Sequence, residues 1–429
     1  MTNPSNSELT ARTNLHNFFS TVKAGLYGVI TIPRKRAAFA VLTFLNALLC
    51  TAIYWPQHFS PALNGITLAL ALFVFLSLSV LCAAAVGYVP GALDMQHNFA
   101  RVGFVNSAGE APYLIYKEQH GNVVTYTYCC TGFPFSSWVD NQLKLETALN
   151  MLIAIVKEGK DRRTIKLCCV PPEHAFEIAE WHDRYIYRNE DNLLLLGRGL
   201  TGDVIINIDK TPHILIGGNT GSGKTILLQC LVWQAIQQAD VVYVADFKGG
   251  VDFSRTWQRF AHIVTDEQQL LALLNKLADT LNERKELFRE VDAPNISTYR
   301  KKTGEYMQRI IFACDEVAEL LDKTGADKQR KELLSQIEAR LALIARQGRA
   351  FGIHLLLATQ RPDANILSGQ VKNNMNIRIC GRADTTLSTI IIGDGRAAEQ
   401  IPQDAQGRFL MEDGTIFQGY YFDGETILK

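Results

Sequence analysis

GNTGSGKT, at residues 218–225, matches the phosphate-binding pattern GxxxxGK[ST] at every fixed position. A short apolar strand is predicted just before it at His213–Ile216, and a helix just after it at Thr225–Gln237. Glycines let such a loop bend around phosphates, and the first amides of the following helix favour an anion. We therefore expect ATP to bind through Gly218, Asn219, Thr220, Gly221, Ser222, Gly223, Lys224 and Thr225.

A second apolar strand, Arg309–Cys314, ends in the acidic pair Asp315 and Glu316. In a parallel sheet the carboxyl ends of the strands face the ligand, so this pair is predicted to lie beside the phosphates. Asp315 and the hydroxyl of Thr225 would then hold Mg²⁺, and Glu316 would act as general base toward the attacking water. The alternative is a strand that ends in solvated acids, and the phosphate-binding loop argues against it.

Two further strands end in polar residues. Val241–Ala245 is followed by Asp246 and Lys248, and Ile353–Ala358 is followed by Thr359 and Gln360. Gln360 is a candidate sensor of the γ-phosphate, whereas Asp246 and Lys248 either serve the site or form a structural ion pair.

Amphipathic helices separate these strands, with apolar stripes at Leu270, Leu274, Leu277 and Leu281 and at Leu334, Ile337, Leu341 and Ile344. The alternation predicts an α/β fold: a RecA-like P-loop motor whose parallel sheet is covered by helices on both sides. The second helix ends near Arg346 and Arg349. Each is either an arginine finger for a neighbouring subunit, with Arg349 favoured, or a surface arginine at a helix end.

Two uncharged stretches, Ala37–Trp55 and Ile66–Val89, precede the motor. As helices they would span about 28 and 36 Å, enough to cross the roughly 30 Å core of a bilayer. Arg34, Lys35 and Arg36 stand before the first stretch and predict a cytoplasmic N-terminus. The sequence therefore predicts a two-pass protein of the cell (inner) membrane, in contact with lipid, with its motor in the cytoplasm; two buried helices of a soluble core are the alternative.

A mixed α and β segment follows the hairpin. Tyr113–Lys117, Val123–Cys130 and Thr164–Val170 are predicted strands, and Leu143–Val156 is a predicted helix. It contains no catalytic constellation, so we expect a structural adaptor. The predicted domains are a cytoplasmic N-terminal segment (1–36), a transmembrane hairpin (37–89), a small α+β adaptor (90–192) and the motor (193–429).

The composition gives no support for nucleic-acid binding through net charge or for a zinc site. Lys and Arg together equal Asp and Glu at 43 each, so net charge does not predict nucleic-acid binding. None of the nine cysteines is in a CxxC spacing, and pairs such as Cys129-Cys130 fit small buried side chains in a reducing compartment better than zinc ligands.

Longer stretches resemble the FtsK/SpoIIIE family of DNA translocases between about Leu195 and Met411. They are GGNTGSGKT, VADFKGGVDF, IFACDEVAELL, GRAFGIHLLLATQRPDANILSGQVKNNMNIRI and IIGDGRAAEQIPQDAQGRFLM. The resemblance implies a homohexameric ring that threads DNA and is driven by ATP. It also implies nucleotide roles for Gly218–Thr225, Asp315, Glu316 and Gln360, and a role for Arg349 across the subunit interface.

The layout differs from that of chromosome-segregating members, which are usually longer, have more membrane spans and end in a winged-helix domain. Two spans and an end at Lys429 look more like conjugative coupling proteins, with a relaxase and secretion-channel proteins as partners. Chromosome segregation and protein-moving secretion ATPases remain alternatives. Candidate DNA contacts, with surface or interface charges as the alternative, are Lys372, Arg378, Arg382 and Arg396.

Overall fold

The computed structural model describes residues 18–19, 21–30, 32–54, 64–159, 161–174, 176–187, 192–360 and 369–428. The chain forms two compact units, Met1–Ala175 and Phe176–Lys429. Trp55, which ends the first uncharged stretch, and Arg361-Pro362, which follow Gln360, lie outside the described residues.

The first unit contains α1 (residues 21–30), α2 (Pro33–Tyr54) and α3 (Asn64–Gly87). Helices α2 and α3 pack against each other, and the buried Asn46 side chain donates to the carbonyl of Phe75 (3.0 Å) and to Ser79 Oγ (3.2 Å). Both helices are long and apolar enough to cross a membrane, and only 11% of each candidate span is buried. Such low burial is atypical of core helices in a soluble protein.

The same unit contains a four-stranded antiparallel sheet in the order β1-β2-β4-β3. Its core gathers around Trp138, Phe99 and Tyr128. The elements are α4 (Ala92–Arg101), β1 (Tyr113–His120), β2 (Val123–Cys129), α5 (Phe135–Asp140), α6 (Gln142–Leu149), β3 (Leu152–Glu158) and β4 (Thr164–Val170).

The prediction of a helix over Leu143–Val156 is wrong for the second half of that range. Helix α6 ends at Leu149, where Asn150 takes a left-handed conformation with φ 50°. Strand β3 then pairs with β4 over Leu152–Glu158. The leucines follow a helical spacing, but the β-branched Ile153, Ile155 and Val156 favour a strand once a partner is available.

The second unit contains a ten-stranded sheet in the order β6-β5-β14-β13-β12-β7-β11-β10-β8-β9. Its strands are β5 (Leu193–Gly199), β6 (Gly202–Asn207), β7 (Ile214–Gly217), β8 (Val241–Ala245), β9 (His262–Val264), β10 (Ile310–Cys314), β11 (Ile353–Thr359), β12 (Ile377–Cys380), β13 (Arg408–Met411) and β14 (Ile416–Gly419). Its helices are α7 (Lys224–Gln237), α8 (Glu267–Glu290), α9 (Ile296–Thr303), α10 (Val317–Leu321), α11 (Lys328–Gln347), α12 (Gly369–Lys372), α13 (Thr385–Ile392), α14 (Arg396–Gln400) and α15 (Gly424–Ile427).

Strands β12, β7, β11, β10, β8 and β9 run parallel, as the sequence predicts for the motor core. Successive side chains of β7 point to opposite faces: Leu215 packs with α8 and α11, whereas Ile214 and Ile216 pack with α7. Helices therefore cover both faces, and the predicted α/β architecture is confirmed.

Strands β13, β14, β5 and β6 extend the core with antiparallel pairs, so the sheet is mixed rather than wholly parallel. Strands of four residues, such as β13 and β14, are too short to show a periodicity of their own. The second unit begins at Phe176, within the segment that the sequence assigns to the adaptor. The backbone N–H of Trp181, for example, donates to the carbonyl of Tyr421 (2.9 Å).

Candidate nucleotide-binding site

The loop between β7 and α7 has the conformation that a phosphate-binding turn requires. Gly223, immediately before α7, has φ 98°, and a Cβ there would lie 3.0 Å from the backbone of Gly407. At Gly218, with φ 150°, a Cβ would lie 2.6 Å from Ser222 Oγ. Both positions need glycine, and the loop leads directly into the first turn of a fourteen-residue helix.

Lys224 and Thr225 open α7 and face the tip of β10. Lys224 is 6% exposed, and its ammonium donates to the carbonyl of Asn219 (3.2 Å). Burial lowers the pKa of Lys224, and the carboxylates of Glu316 and Asp315 oppose that shift. The hydroxyl of Thr225 donates to Asp315 Oδ1 (2.9 Å).

Asp315 and Glu316 follow β10 and are 4% and 7% exposed. Glu316 accepts hydrogen bonds from the Thr359 hydroxyl (2.9 Å) and from the backbone N–H of Gln360 (3.0 Å). Burial raises the pKa of Glu316, although these hydrogen bonds and the charge of Lys224 favour its ionised form. The carboxylate is therefore held in one orientation by the end of β11.

Gln360 joins the same group from the tip of β11. Its side-chain oxygen accepts a hydrogen bond from the Thr220 hydroxyl (2.8 Å), which connects this strand to the phosphate-binding loop. Lys224, Thr225, Asp315, Glu316 and Gln360 all line one cavity of about 260 Å³. The structure thus brings together the residues that the sequence predicts for phosphate binding, metal binding, base and sensor.

Asp246 and Lys248 have different partners, so their side chains do not form the predicted alternative ion pair. The Asp246 carboxylate accepts the backbone N–H groups of Lys248 and Phe253 (3.0 Å each). The Lys248 ammonium instead contacts Asp315 Oδ2 (2.6 Å) and Asp252 Oδ2 (3.0 Å). No local pattern predicts these contacts, because two strands and two helices separate Lys248 from Asp315 in the chain.

The oxygens around Asp315 suit magnesium. Within the described ranges, no cluster of three or more His, Cys, Asp or Glu side chains forms a metal site from protein ligands alone. Magnesium ions in nucleotide sites usually take one or two protein oxygens and obtain the others from phosphates and water. The Thr225 hydroxyl and the Asp315 carboxylate, already within hydrogen-bond distance of each other, fit that pattern.

Arg349 is not part of this group of residues. It lies in a 3₁₀ turn before β11 and donates to the carbonyl of Asp209 (3.2 Å). Gln360 follows the opposite end of β11, a seven-residue strand that spans about 20 Å. Arg349 and Arg346 are exposed, so either arginine would have to act on the site of another copy.

Three of the four candidate DNA contacts have partners inside the unit. Arg378 donates to the carbonyl of Lys372, and Arg396 donates to Asp394. Arg382 donates to the carbonyl of Thr220 (3.0 Å), and its own carbonyl accepts the N–H of Asn219 (2.7 Å).

Arg382 therefore holds the phosphate-binding loop, a role that the sequence does not predict. The position of Arg382 just after β12 could have indicated this role. Strand β12 runs parallel to β7, so the two strands end side by side. The N–H of Gly407 adds a second support by donating to the carbonyl of Ser222 (3.0 Å).

An apolar slot of about 100 Å³ adjoins the phosphate cavity and shares Gly223, Ile226 and Gln406 with it. Its other walls include Ile178, Leu227, Phe409, Tyr420 and Tyr421. The slot forms where β13 and β14 pass the first turn of α7, so it also depends on the antiparallel extension that the sequence did not predict.

Comparison with known proteins identifies related chains. Residues 179–364 match the model of the FtsK/SpoIIIE family. The solved structure of the pCW3 conjugation coupling protein TcpA, in its monomer form with ATPγS, is 34% identical and covers 78% of this chain and 96% of that chain, with a TM-score of 0.59.

Two curated relatives are DNA translocases. FtsK of Sporosarcina ureae is 28% identical over 255 residues, which are 55% of this chain and 32% of the relative. SftA of Bacillus subtilis is 30% identical over 218 residues, which are 48% of this chain and 22% of the relative. The match thus spans a third or less of the length of these two relatives.

Proposed function

We propose that this chain, which belongs to the FtsK/SpoIIIE family, hydrolyses ATP to move DNA and is anchored in a membrane by α2 and α3. The observation that carries the proposal is the hydrogen bond between Thr225 and Asp315, beside Lys224 and Glu316 in one cavity. This arrangement joins a phosphate-binding loop to a carboxylate pair, the combination that ATP hydrolysis requires.

In this proposal the backbone N–H groups of the 218–225 loop bind the phosphates, and Lys224 adds its charge to the β and γ groups. Thr225 and Asp315 hold Mg²⁺, which when bound neutralises charge that develops on the phosphate oxygens. Glu316 orients water and accepts its proton, since Thr359 and Gln360 fix that carboxylate. Gln360 reports the γ-phosphate to Thr220.

The base of ATP fits the apolar slot. The slot adjoins the phosphate cavity, because the two spaces share lining residues. A flat ring between Ile226 and the wall formed by Phe409 and Tyr420 would therefore lie next to the bound phosphates. Arg349 completes the site from a neighbouring copy, which requires a closed assembly such as a homohexameric ring.

The order of domains along the chain suggests where the DNA is delivered. A two-helix hairpin, a small α+β region and one motor occur together here, and the TcpA structure is covered almost completely. We therefore favour a coupling protein that delivers DNA to a conjugative channel, with a relaxase and channel proteins as partners. The basic residues Arg34, Lys35 and Arg36 at the start of α2 support a cytoplasmic N-terminus by the positive-inside rule. Two crossings would return the chain to that side, so we propose a cytoplasmic motor at the inner membrane.

The test measures ATP hydrolysis by the full chain in detergent, with and without double-stranded DNA, at several salt concentrations. We expect DNA to stimulate turnover and the stimulation to weaken as salt rises, because phosphate contacts release counterions. Lys224→Ala serves as the inactive control. Hydrolysis that does not respond to DNA at any salt concentration would instead favour a protein-moving secretion ATPase.

A genetic experiment separates the two DNA-moving alternatives. Deletion of the gene in its natural host should abolish transfer of the mobile element and leave cell division and chromosome partition normal. The opposite pattern, normal transfer with trapped chromosomes at division, would overturn conjugation in favour of segregation.

A further inference from the structure

The loop between β8 and β9 is built around one buried carboxylate. Asp246 is 2% exposed and accepts two backbone N–H groups, from Lys248 and from Phe253. Gly249 and Gly250 both have positive φ, at 79° and 77°, which turns the chain tightly between those two hydrogen bonds. The position of Lys248 is therefore set by the fold of the loop.

This loop delivers the Lys248 ammonium to the residue proposed to hold the metal. The ammonium lies 2.6 Å from Asp315 Oδ2 and 3.0 Å from Asp252 Oδ2, while Asp315 Oδ1 accepts the Thr225 hydroxyl. Both oxygens of Asp315 therefore have partners within the chain. A positive charge of the protein itself therefore contacts the carboxylate that is proposed to hold the divalent cation.

Electrostatics explains why a cation is needed there. The Asp315 side chain is 5% exposed, and a buried carboxylate without a counter-charge is strongly destabilising. Asp252 and Glu316 line the same cavity and increase the negative charge. The Lys248 ammonium supplies that counter-charge through its contacts with Asp315 and Asp252.

An ammonium and a divalent cation that share the Asp315 carboxylate repel each other. The two differ in mobility, because the lysine has a flexible four-carbon stem and an alternative carboxylate at Asp252. Magnesium that arrives with a nucleotide is held by phosphate oxygens as well as by Asp315, so it is anchored more firmly than the lysine. The lysine is therefore the partner that moves.

We propose that Lys248 is the resident counter-ion of the metal position, and that binding of Mg²⁺ with nucleotide displaces it from Asp315 toward Asp252. This inference rests on the proposed ATP site. It makes Lys248 a positioning residue: it neutralises Asp315 when no metal is present, and its release breaks the connection between the 246–253 loop and the tip of β10.

The test is the Mg²⁺ dependence of ATPγS binding to the full chain in detergent, measured at equilibrium for the wild type, Lys248→Met and Lys248→Arg. Removing the competing ammonium should lower the half-saturating Mg²⁺ concentration about threefold to tenfold in Lys248→Met. In EDTA the same variant should bind ATPγS more weakly, because a positive charge beside the phosphates is lost. Lys248→Arg keeps the charge and should stay near the wild type.

The outcomes separate this inference from the ATP site itself. If the wild type binds no ATPγS at any Mg²⁺ concentration, the proposed function fails. If the wild type binds but Lys248→Met leaves the Mg²⁺ half-saturation unchanged, or weakens binding equally with and without Mg²⁺, the displacement of Lys248 is refuted. Thermal unfolding of each variant verifies that the chain is folded in the assay.

Discussion

The two edges of the parallel strands in the second unit both carry buried ionisable side chains, but they use them differently. At the carboxyl edge, Lys224, Asp315 and Glu316 face a cavity of about 260 Å³. At the amino edge, Arg309 donates to Asp240 (3.2 Å), and His213 accepts the backbone N–H of Leu355 (3.0 Å). None of the amino-edge groups lines that cavity.

The comparison shows that a perturbed pKa does not by itself identify a functional site. Burial lowers the pKa of His213 to about 4, a larger change than a typical surface histidine shows. Yet its partner is backbone, and the neighbouring His354 donates to the carbonyl of Pro212 (3.1 Å). What distinguishes the carboxyl edge is that its charges converge on a space large enough for a ligand.

The largest expected effect is at the carboxyl edge. Lys224→Ala should reduce ATPγS affinity on the order of 100-fold or more, because it removes a buried positive charge from the phosphate position. Equilibrium binding to the full chain measures the loss. If the ATPγS affinity of the variant stays within a few-fold of the wild type, Lys224 does not bind phosphate. The carboxyl edge would then resemble the amino edge, where the buried charges are structural.

Glu316→Gln separates binding from chemistry at the same edge. The amide keeps the shape and can still accept from Thr359, but it is not a base. Turnover should fall about 10²- to 10⁴-fold while ATPγS affinity is retained. Steady-state hydrolysis beside equilibrium binding gives the comparison, and a normal rate would show that the base is elsewhere.

Arg309→Met tests the amino edge. It leaves Asp240 and Asp209 without their buried counter-charge, so we expect a loss of about 3–5 kcal/mol in the free energy of unfolding. Denaturant unfolding measures this loss. Lys276→Met, at an exposed position of α8, is the matched control and should change stability by less than about 0.5 kcal/mol. ATPγS affinity of the folded variant should stay near the wild type.

Arg382→Ala tests a residue between these two extremes, because Arg382 supports the phosphate-binding loop without lining the cavity. Loss of its contacts with Thr220 and Gln403 should weaken ATPγS binding about tenfold and leave the fold intact. If instead ATP binding is unchanged and DNA affinity falls, Arg382 belongs to the DNA path that the sequence suggested.

The smallest effect is the pH dependence of stability at the amino edge. The pKa of His213 is about 4 in the folded chain, below the value near 6.5 of an unfolded histidine. The unfolded state therefore takes up a proton first, and stability falls as pH drops from about 6.5 toward 4, by roughly 1–2 kcal/mol at pH 5.5. His213→Asn keeps an acceptor for Leu355 and does not titrate, so its unfolding temperature should depend less on pH.

The carboxyl edge could be predicted from sequence because its chemistry demands local patterns. A phosphate-binding loop must be glycine-rich and open a helix, and the carboxylates must end an apolar strand, so 218–225 and 315–316 were visible without a structure. Partners distant in the chain were not visible: His213 meets Leu355, and Lys248 meets Asp315, only after the strands are ordered.

Local patterns also misled. The helical spacing of Leu145, Leu149, Leu152 and Ile153 predicted a helix over 143–156. It continues into β3, where pairing with β4 prevails over the spacing. The antiparallel strands β13 and β14 were too short to be detected, and with them the apolar slot beside α7 was missed.

The position of β14 has a consequence for the order of assembly. The β5–β6 hairpin joins the rest of its sheet through β14, although β5 is synthesised far earlier. At a translation rate of 5–20 residues per second, roughly 10 to 40 s elapse between the two strands. During that interval the Gly407 support of the phosphate-binding loop is also missing, so a nascent chain cannot complete its nucleotide pocket. The proposed ATP site can therefore form only after β14 has emerged from the ribosome.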